Sequence, residues 1–297
     1  MMIYYLLRIG SAVSRVAPVR LLYALAILVA RGAALPPSAA RAAARANIAR
    51  VLGQPTDSPT VRRAAARAFR CQALNYVDLM RLDHVTRAGY EADVVRGDLS
   101  PYTRLVEEGK GVIIVSAHVG NMDYVAQWLA LKGYPVHTVM EDLQPPKLFD
   151  LVRRQRESAG LHMHPLRDDA IAGLTAILRA GGTVALIADR DIGGGGEPVP
   201  FFGAEASLPI GPALLALRTG APIVAAFGRR LPDNRLYVSV APPVYLRRTR
   251  DLRADLREGQ RAIAGILEDG IRVTPEQWIV FEPIWPAGAA RTKDEAA

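Results

Sequence analysis

The 297-residue sequence has only one cysteine, Cys71, and it lacks the short motifs of several common enzyme classes. A single thiol cannot close an internal disulfide, so the composition does not call for an oxidising compartment. The sequence contains no G-x-S-x-G serine elbow, no P-loop, no dinucleotide-binding G-x-G-x-x-G and no C-x-x-C pair. These absences argue against serine hydrolases, P-loop NTPases, dinucleotide-dependent enzymes and C-x-x-C redox or zinc sites.

The N-terminal region also lacks an apolar run long enough to cross a bilayer. Its longest such run fills the ten positions between Arg20 and Arg31, whereas a spanning helix needs about 20 apolar residues. A wider span over 9–30 would bury Arg15 and Arg20, at about 2.5 to 3.5 kcal/mol each. The recurring arginines also fit a secretory signal poorly, since such a signal has its charges before one apolar core.

Acidic residues are absent from the first 56 positions, although the chain carries a net charge of +8. This region has seven arginines, at positions 8, 15, 20, 31, 41, 45 and 50. Apolar runs and tyrosines interleave them, which is typical of a helix lying in an anionic membrane surface and not of a nucleic-acid-binding arm. We therefore expect residues 1–55 to associate with a membrane; an ordinary buried helix pair is the alternative.

The rest of the chain alternates between short β-rich runs and helical segments, the pattern of an α/β fold. Strands are predicted at 111–117, 135–140, 161–165, 183–188, 222–227 and 235–240. Helices are predicted at 41–51, 61–81, 122–132, 146–159, 168–180, 209–219 and 251–267. The expected architecture is one α/β domain over 56–286, with a central mixed, largely parallel sheet flanked by helices, followed by a flexible tail over 287–297.

The segment from Ser116 to Asp123 contains a histidine and an aspartate close to the end of a predicted strand. His118 follows a buried strand, and Asp123 falls in the first turn of the next helix. The carboxyl ends of strands carry the sites of open α/β sheets. A carboxylate at this spacing is able to fix the imidazole tautomer while the other ring nitrogen accepts a proton. His118 is therefore the candidate base, with a structural histidine as the alternative.

Two further features surround this motif. The loop from Asp189 to Glu197 follows a predicted strand and contains Arg190, Asp191 and four glycines, so its backbone is able to approach a polar ligand closely. A solvated flexible linker is the alternative reading. An oxyanion would need donors, for which the candidates are the backbone N–H groups near Gly120 and Asn121 or the Arg156 guanidinium.

Several blocks of the chain, taken in order, resemble one superfamily. The block from His118 to Asp123 is similar to the H-x4-D motif of the glycerolipid acyltransferases. More narrowly, the chain resembles the bacterial lipid A biosynthesis acyltransferases and their relatives, the phosphatidylinositol mannoside acyltransferases. The blocks that carry this resemblance are 45–50, 69–76, 188–191, 200–203, 211–218, 275–278 and 281–285.

The resemblance implies transfer of a fatty acyl group from acyl-CoA or acyl carrier protein to a hydroxyl of a membrane glycolipid. His118 would be the general base and Asp123 its orienting partner, without a covalent intermediate or a cofactor. The implied substrate-binding residues are Asn121, Glu141, Arg156, Asp189, Arg190, Asp191 and Glu197. Cys71 is expected in the core. The expected location is peripheral, on the cytoplasmic face of the inner membrane, with no nucleic acid as partner.

Two other functions stay open at this point. The same His-Asp pair would also activate water, which would make the protein a hydrolase of lipid esters or acyl thioesters. The scaffold would alternatively serve as a non-enzymatic peripheral lipid-binding protein. Acyl-CoA turnover that needs no acceptor lipid would favour the hydrolase, whereas function that survives His118→Ala would favour the binding protein.

Overall fold

A computed structural model describes residues 1–33, 37–167 and 170–286. In these ranges the chain forms nine strands, eleven α-helices and two short 3₁₀ helices. The strands are β1 (Val94–Arg96), β2 (Val112–Ser116), β3 (Val136–Met140), β4 (Leu161–Pro165), β5 (Thr183–Ile187), β6 (Glu197–Phe201), β7 (Ala204–Leu208), β8 (Ile223–Arg230) and β9 (Leu236–Val240). The predicted tail, 287–297, lies outside the described residues.

The helices alternate with the strands after an N-terminal helical region. They are α1 (Met2–Ser14), α2 (Val19–Ala33), α3 (Ala39–Leu52), α4 (Pro59–Arg81), α5 (Arg87–Asp93), α6 (Ser100–Glu107), α7 (Met122–Leu131), α8 (Pro146–Glu157), α9 (Ala170–Arg179), α10 (Gly211–Thr219) and α11 (Leu252–Val273). The 3₁₀ helices are Leu82–His84 and Pro275–Gln277. All six predicted strands are present, five of them within one residue of their expected limits, whereas β8 extends three residues beyond its predicted end.

Seven strands form one sheet in the order β1-β9-β8-β2-β5-β3-β4. Neighbouring strands run parallel except β8 and β9, which are antiparallel. This confirms the expected α/β domain with a mixed, largely parallel sheet. The β6–β7 hairpin is a separate antiparallel pair that the sequence did not predict, because the prolines at 198 and 200 are unusual within a strand.

Strand β2 shows why the sheet is covered on both faces. All five of its residues are buried. Ile113 and Val115 pack with α9, α10 and α11, whereas Val112 and Ile114 pack with α7 and α8. Successive side chains of a strand point to opposite faces. A continuous apolar run is therefore what a doubly covered central strand requires.

The N-terminal helices pack on α4, and α1 and α2 carry exposed apolar stripes. On α1 the exposed residues include Met2, Leu6, Ile9 and Val13, and on α2 they include Leu21, Leu25, Leu28 and Val29. Spacings of three and four residues place each set on one helix face. In the described ranges, no helix combines the length and the apolar character that crossing a membrane requires.

A glycine allows the turn between β2 and α7. Gly120 has φ of 62°, and a Cβ at this position would stand 1.8 Å from the carbonyl oxygen of Gly228 on β8. Its N–H donates to the Gln277 carbonyl, and the next N–H, of Asn121, donates to the Gly228 carbonyl. The turn after β2 is thus held against β8 at a separation that only glycine permits.

Replacement of Gly120 by alanine is expected to lower the free energy of unfolding by about 3 kcal/mol or more, as left-handed strain adds to a backbone collision. Gly109 is the matched control, because its φ is 66° but a Cβ there meets no atom within 4 Å. Gly109→Ala should cost only about 1 kcal/mol. Urea unfolding of both variants checks this; equal losses would contradict the tight contact.

Candidate active site

The site forms where β2 and β5 end side by side. The two strands pair in parallel, with Ser116 opposite Ile187. His118 lies two residues beyond the end of β2, and Asp189 lies two residues beyond the end of β5. The N–H of Ala188 donates to the Ser116 carbonyl at 2.9 Å, which extends the pairing past both strands. The sheet therefore brings His118 and Asp189 to one edge.

Asp189 binds His118 through both carboxylate oxygens. Its Oδ1 lies 2.7 Å from His118 Nδ1, and its Oδ2 accepts the backbone N–H of His118 at 2.9 Å. The same Oδ2 accepts the indole N–H of Trp278 at 2.7 Å. Asp189 is fully buried. Three donors converge on this carboxylate, so its position and that of the imidazole are fixed together.

The charge state of Asp189 determines the tautomer of His118. Burial raises the pKa of Asp189, but the neighbouring His118 and the three hydrogen bonds outweigh burial, so the pKa lies below its usual value. The carboxylate is thus ionised at neutral pH and acts only as an acceptor. Nδ1 must then carry the proton. In neutral His118 this leaves the lone pair on Nε2.

Nε2 of His118 is the atom available for chemistry. The side chain is 20% exposed, and in the part of the chain that the structure describes Nε2 makes no hydrogen bond. A ring nitrogen with a lone pair, held by a buried carboxylate on its other side, is the arrangement of a general base. This geometry agrees with His118 as the candidate base.

Asp123 lies elsewhere than the sequence predicted. The expected pairing with His118 is corrected by the contact at Nδ1, which comes from Asp189. Asp123 lies in the first turn of α7 and accepts a hydrogen bond from Arg156 NH2 on α8 at 2.8 Å. Asn121 is the N-cap of α7, and Asp123, in the first turn of that helix, reaches Arg156 on α8. The adjacent end of β5 supplies the carboxylate that contacts the imidazole.

Asn121 is buried, and both ends of its side-chain amide are hydrogen-bonded within the protein. Its Oδ1 accepts the N–H of Tyr124 to cap α7, and its Nδ2 donates to Asp78. Its role in substrate binding stays a prediction, and the observed contacts show a helix cap and a link to α4. The backbone N–H groups of Gly120 and Asn121 are likewise engaged, by the carbonyls of Gln277 and Gly228. They are not free to bind an oxyanion.

Arg156 is the remaining candidate donor for an oxyanion. Its side chain is 25% exposed, and it pairs with Asp123. Its Nε is buried and has no hydrogen-bond partner among the described residues. A guanidinium with an unused donor can form further charge-assisted hydrogen bonds.

The loop residues divide into engaged and exposed groups. Asp191 accepts the N–H of Gly196 at 2.9 Å and the hydroxyl of Ser207 at 3.0 Å, so it closes the glycine-rich loop onto β7. Arg190 pairs with Glu282 at 2.8 Å. Glu197, at the start of β6, is exposed, and its side chain has neither a hydrogen bond nor an ion pair within the described ranges.

Glu141 occupies the same edge of the sheet as His118 and Asp189. It follows β3, which is the neighbour of β5 on the side away from β2. It is exposed, and it forms no hydrogen bond or ion pair with any described residue. Its carboxylate is therefore exposed at this edge, and the substrate-binding role that the family resemblance implies stays a prediction.

Trp278 is a site residue that sequence reasoning missed. It is buried among Phe201, Phe202 and Trp285, and its indole N–H reaches Asp189. The block from Pro275 to Trp278 was noted only as part of the family resemblance. No spacing rule links position 278 to position 189, because only the fold brings them together.

The structure also describes the surroundings of Cys71 and of the potential metal-binding side chains. Cys71 is buried on α4, as expected, and burial raises the pKa of its thiol to about 11. The thiol therefore stays protonated at neutral pH and is a poor nucleophile. Among the described residues, no three His, Cys, Asp or Glu side chains are grouped so that they could share a metal ion.

Comparison with known proteins agrees with this geometry. A phosphatidylinositol mannoside acyltransferase of Mycolicibacterium smegmatis is 29% identical over 251 residues, which cover 82% of this chain and 79% of that protein. A phosphatidylinositol mannoside acyltransferase of Mycobacterium tuberculosis is 27% identical over 263 residues, covering 84% and 78%.

The sequence profile of the family described as bacterial lipid A biosynthesis acyltransferase matches residues 1–286. That match takes in every strand and helix described above, from α1 to the segment that carries Trp278. The chain therefore belongs to the bacterial lipid A biosynthesis acyltransferase family and is an O-acyltransferase.

Proposed function

We propose that this enzyme transfers a fatty acyl group from a thioester donor to a hydroxyl of a membrane glycolipid, with His118 as the general base. The observation that carries the proposal is the contact between buried Asp189 and His118 Nδ1, which leaves Nε2 of the imidazole unbound. The names of the relatives support a phosphatidylinositol mannoside or similar lipid as acceptor.

The chemistry follows from this geometry. Nε2 of His118 removes the proton of the acceptor hydroxyl as its oxygen attacks the thioester carbonyl. The tetrahedral intermediate then breaks its C–S bond, and the imidazolium returns the proton to the leaving thiolate. Asp189 stabilises the imidazolium while it exists. Arg156, whose side chain is one quarter exposed, is the proposed partner of the oxyanion. Its ion-pair partner Asp123 keeps that guanidinium in place.

The donor is an acyl thioester of coenzyme A or of acyl carrier protein. Both carry anionic groups, which suit a chain of net charge +8. Direct transfer needs no covalent acyl-enzyme, consistent with the buried, protonated Cys71 thiol and the absence of a serine elbow.

The N-terminal helices are the proposed membrane-binding surface. Their exposed apolar stripes are accompanied by exposed arginines at positions 8, 15, 20 and 31. An open apolar hollow of about 200 Å³ lies between α1, α2 and α4, next to these stripes. Apolar side chains with neighbouring cations bind anionic lipid surfaces. Because thioester donors are cytoplasmic, we place the enzyme on the cytoplasmic face of the inner membrane.

The function is tested by thiol release from palmitoyl-CoA, with and without mixed bacterial glycolipids, with lipid products resolved by mass. Wild-type protein should release thiol only with acceptor present and should form a product heavier by one acyl group. His118→Ala should lower the rate by about 10² to 10⁴-fold.

Other outcomes contradict the proposal in different ways. Release that does not depend on acceptor would indicate a hydrolase. Equal rates for wild type and His118→Ala would exclude His118 as the base. If palmitoyl-CoA gives no thiol release, the same assay with palmitoyl-acyl carrier protein decides whether the protein transfers an acyl group. No release from either donor would contradict acyl transfer and would favour a protein that binds lipid without catalysis.

Membrane binding is tested by placing a charge on an exposed stripe. Leu28, on α2, is 65% exposed and has no role in the core. Leu28→Glu should weaken co-sedimentation with anionic vesicles by about tenfold or more. The substitution removes apolar area from the protein and introduces a negative charge that the anionic lipid repels.

Tyr245 provides the matched control, since it is 61% exposed but lies by the start of β8, at the opposite end of the sheet from His118. Tyr245→Glu should bind vesicles like the wild type. Equal binding by both variants would contradict the assignment of α2 to the membrane surface.

A further inference from the structure

A second cluster of buried polar side chains adjoins the residues that follow His118. Its centre is Asp78 on α4, whose side chain is 2% exposed. Asp78 Oδ2 accepts hydrogen bonds from Asn121 Nδ2, at 2.8 Å, and from Arg230 NH2. Asp78 Oδ1 accepts one from the Tyr23 hydroxyl. One carboxylate is thus the acceptor for three donors.

The three donors come from three separate parts of the fold. Tyr23 belongs to α2, Arg230 ends β8, and Asn121 caps α7 directly after the His118 turn. Asp78 itself belongs to α4. The carboxylate therefore connects an N-terminal helix, whose outer face is exposed and apolar, to the turn that carries the candidate base.

Asn75 provides a second connection from α4 to the same turn. Its Nδ2 donates to the Gly120 carbonyl, and its Oδ1 accepts a hydrogen bond from Arg230 NH2 at 2.9 Å. Both residues that follow Val119 are thus held by side chains of α4. Gly120 is two residues from His118, so a shift of this turn moves the imidazole relative to Asp189.

Hydrogen bonds link all the side chains of this cluster, although Nε of Arg230 is buried without a partner among the described residues. Burial lowers the pKa of Arg230, but nearby Asp78 outweighs it, so the pKa lies above its usual value. Burial and Asp78 both raise the pKa of Tyr23, which keeps its hydroxyl a donor. Buried ion pairs contribute little net stability compared with apolar packing. These buried charges are therefore better explained by a role in positioning the turn after His118 than by a contribution to stability.

We propose that Asp78 and Tyr23 are positioning residues for acyl transfer, which makes α2 part of the catalytic unit as well as of the membrane-facing surface. This inference rests on the proposed function of His118. The inference also goes beyond that function. An N-terminal segment that served only as a membrane anchor would not affect the chemical step when the substrates are supplied without a bilayer.

The test removes only the Tyr23 hydroxyl, in the full-length chain. Tyr23→Phe is compared with Tyr76→Phe, since Tyr76 lies on α4, is 50% exposed and forms no hydrogen bond with any described residue. Donor thioester and glycolipid are presented in detergent micelles, so that membrane binding is not needed. Tyr23→Phe should lower kcat by about tenfold with KM unchanged, and Tyr76→Phe should change neither.

Further measurements separate positioning from folding. Both variants should keep the wild-type melting temperature within a few degrees and the wild-type binding to vesicles. Asp78→Asn, which keeps the shape but not the charge, should lower kcat by about 100-fold with KM again unchanged. A kcat for Tyr23→Phe equal to that of Tyr76→Phe would overturn the proposal, as would a loss explained entirely by unfolded protein.

Amide NMR signals of Gly120 and Asn121 provide a readout that does not depend on activity. These signals should move in Tyr23→Phe and stay in place in Tyr76→Phe; unmoved signals in Tyr23→Phe would overturn the proposal. If the wild type transfers no acyl group, the proposed function fails, whereas the amide signals still decide whether Tyr23 holds the His118 turn.

Discussion

The site depends on one buried carboxylate, Asp189, which must be satisfied on every side because water does not reach it. An ionised group without partners would be costly at this depth. Three donors meet it: the Nδ1–H and the backbone N–H of His118, and the indole of Trp278. This requirement fixes the direction of the imidazole. It also explains why the segment that carries Trp278 packs across the ends of β2 and β5.

The N-terminal helices face two different environments. Their outer sides expose apolar stripes, whereas Tyr23 on α2 reaches the buried carboxylate of Asp78, and through it Asn121. An acyltransferase that acts on a lipid has to bring a base to a hydroxyl held near a membrane. The hydrogen bonds from Tyr23 through Asp78 to Asn121 would meet that requirement, because they connect the proposed membrane-binding helix to the turn that follows the candidate base.

The sequence allowed much of the fold to be predicted and less of the site. Periodicity located the strands, because a parallel sheet covered on both faces needs short, continuous apolar runs. His118 and the loop after β5 were found from their positions at strand ends. The partner of His118 was not, because sequence spacing favoured Asp123, whereas strand order decides which carboxylate is adjacent. Trp278 is 89 positions from its partner Asp189, and Asp78 is 43 positions from its partner Asn121, so no local sequence pattern indicates either contact.

Asp189, and not Asp123, holds Nδ1 of His118, so in the neutral ring the lone pair is on Nε2. The most direct measurement is the ¹⁵N NMR spectrum of the His118 imidazole at neutral pH in the wild type, Asp189→Asn and Asp123→Asn. In the neutral form of the ring we expect the proton on Nδ1 in the wild type, the same tautomer in Asp123→Asn, and loss of that preference in Asp189→Asn. A tautomer that changes in Asp123→Asn and persists in Asp189→Asn would contradict the account.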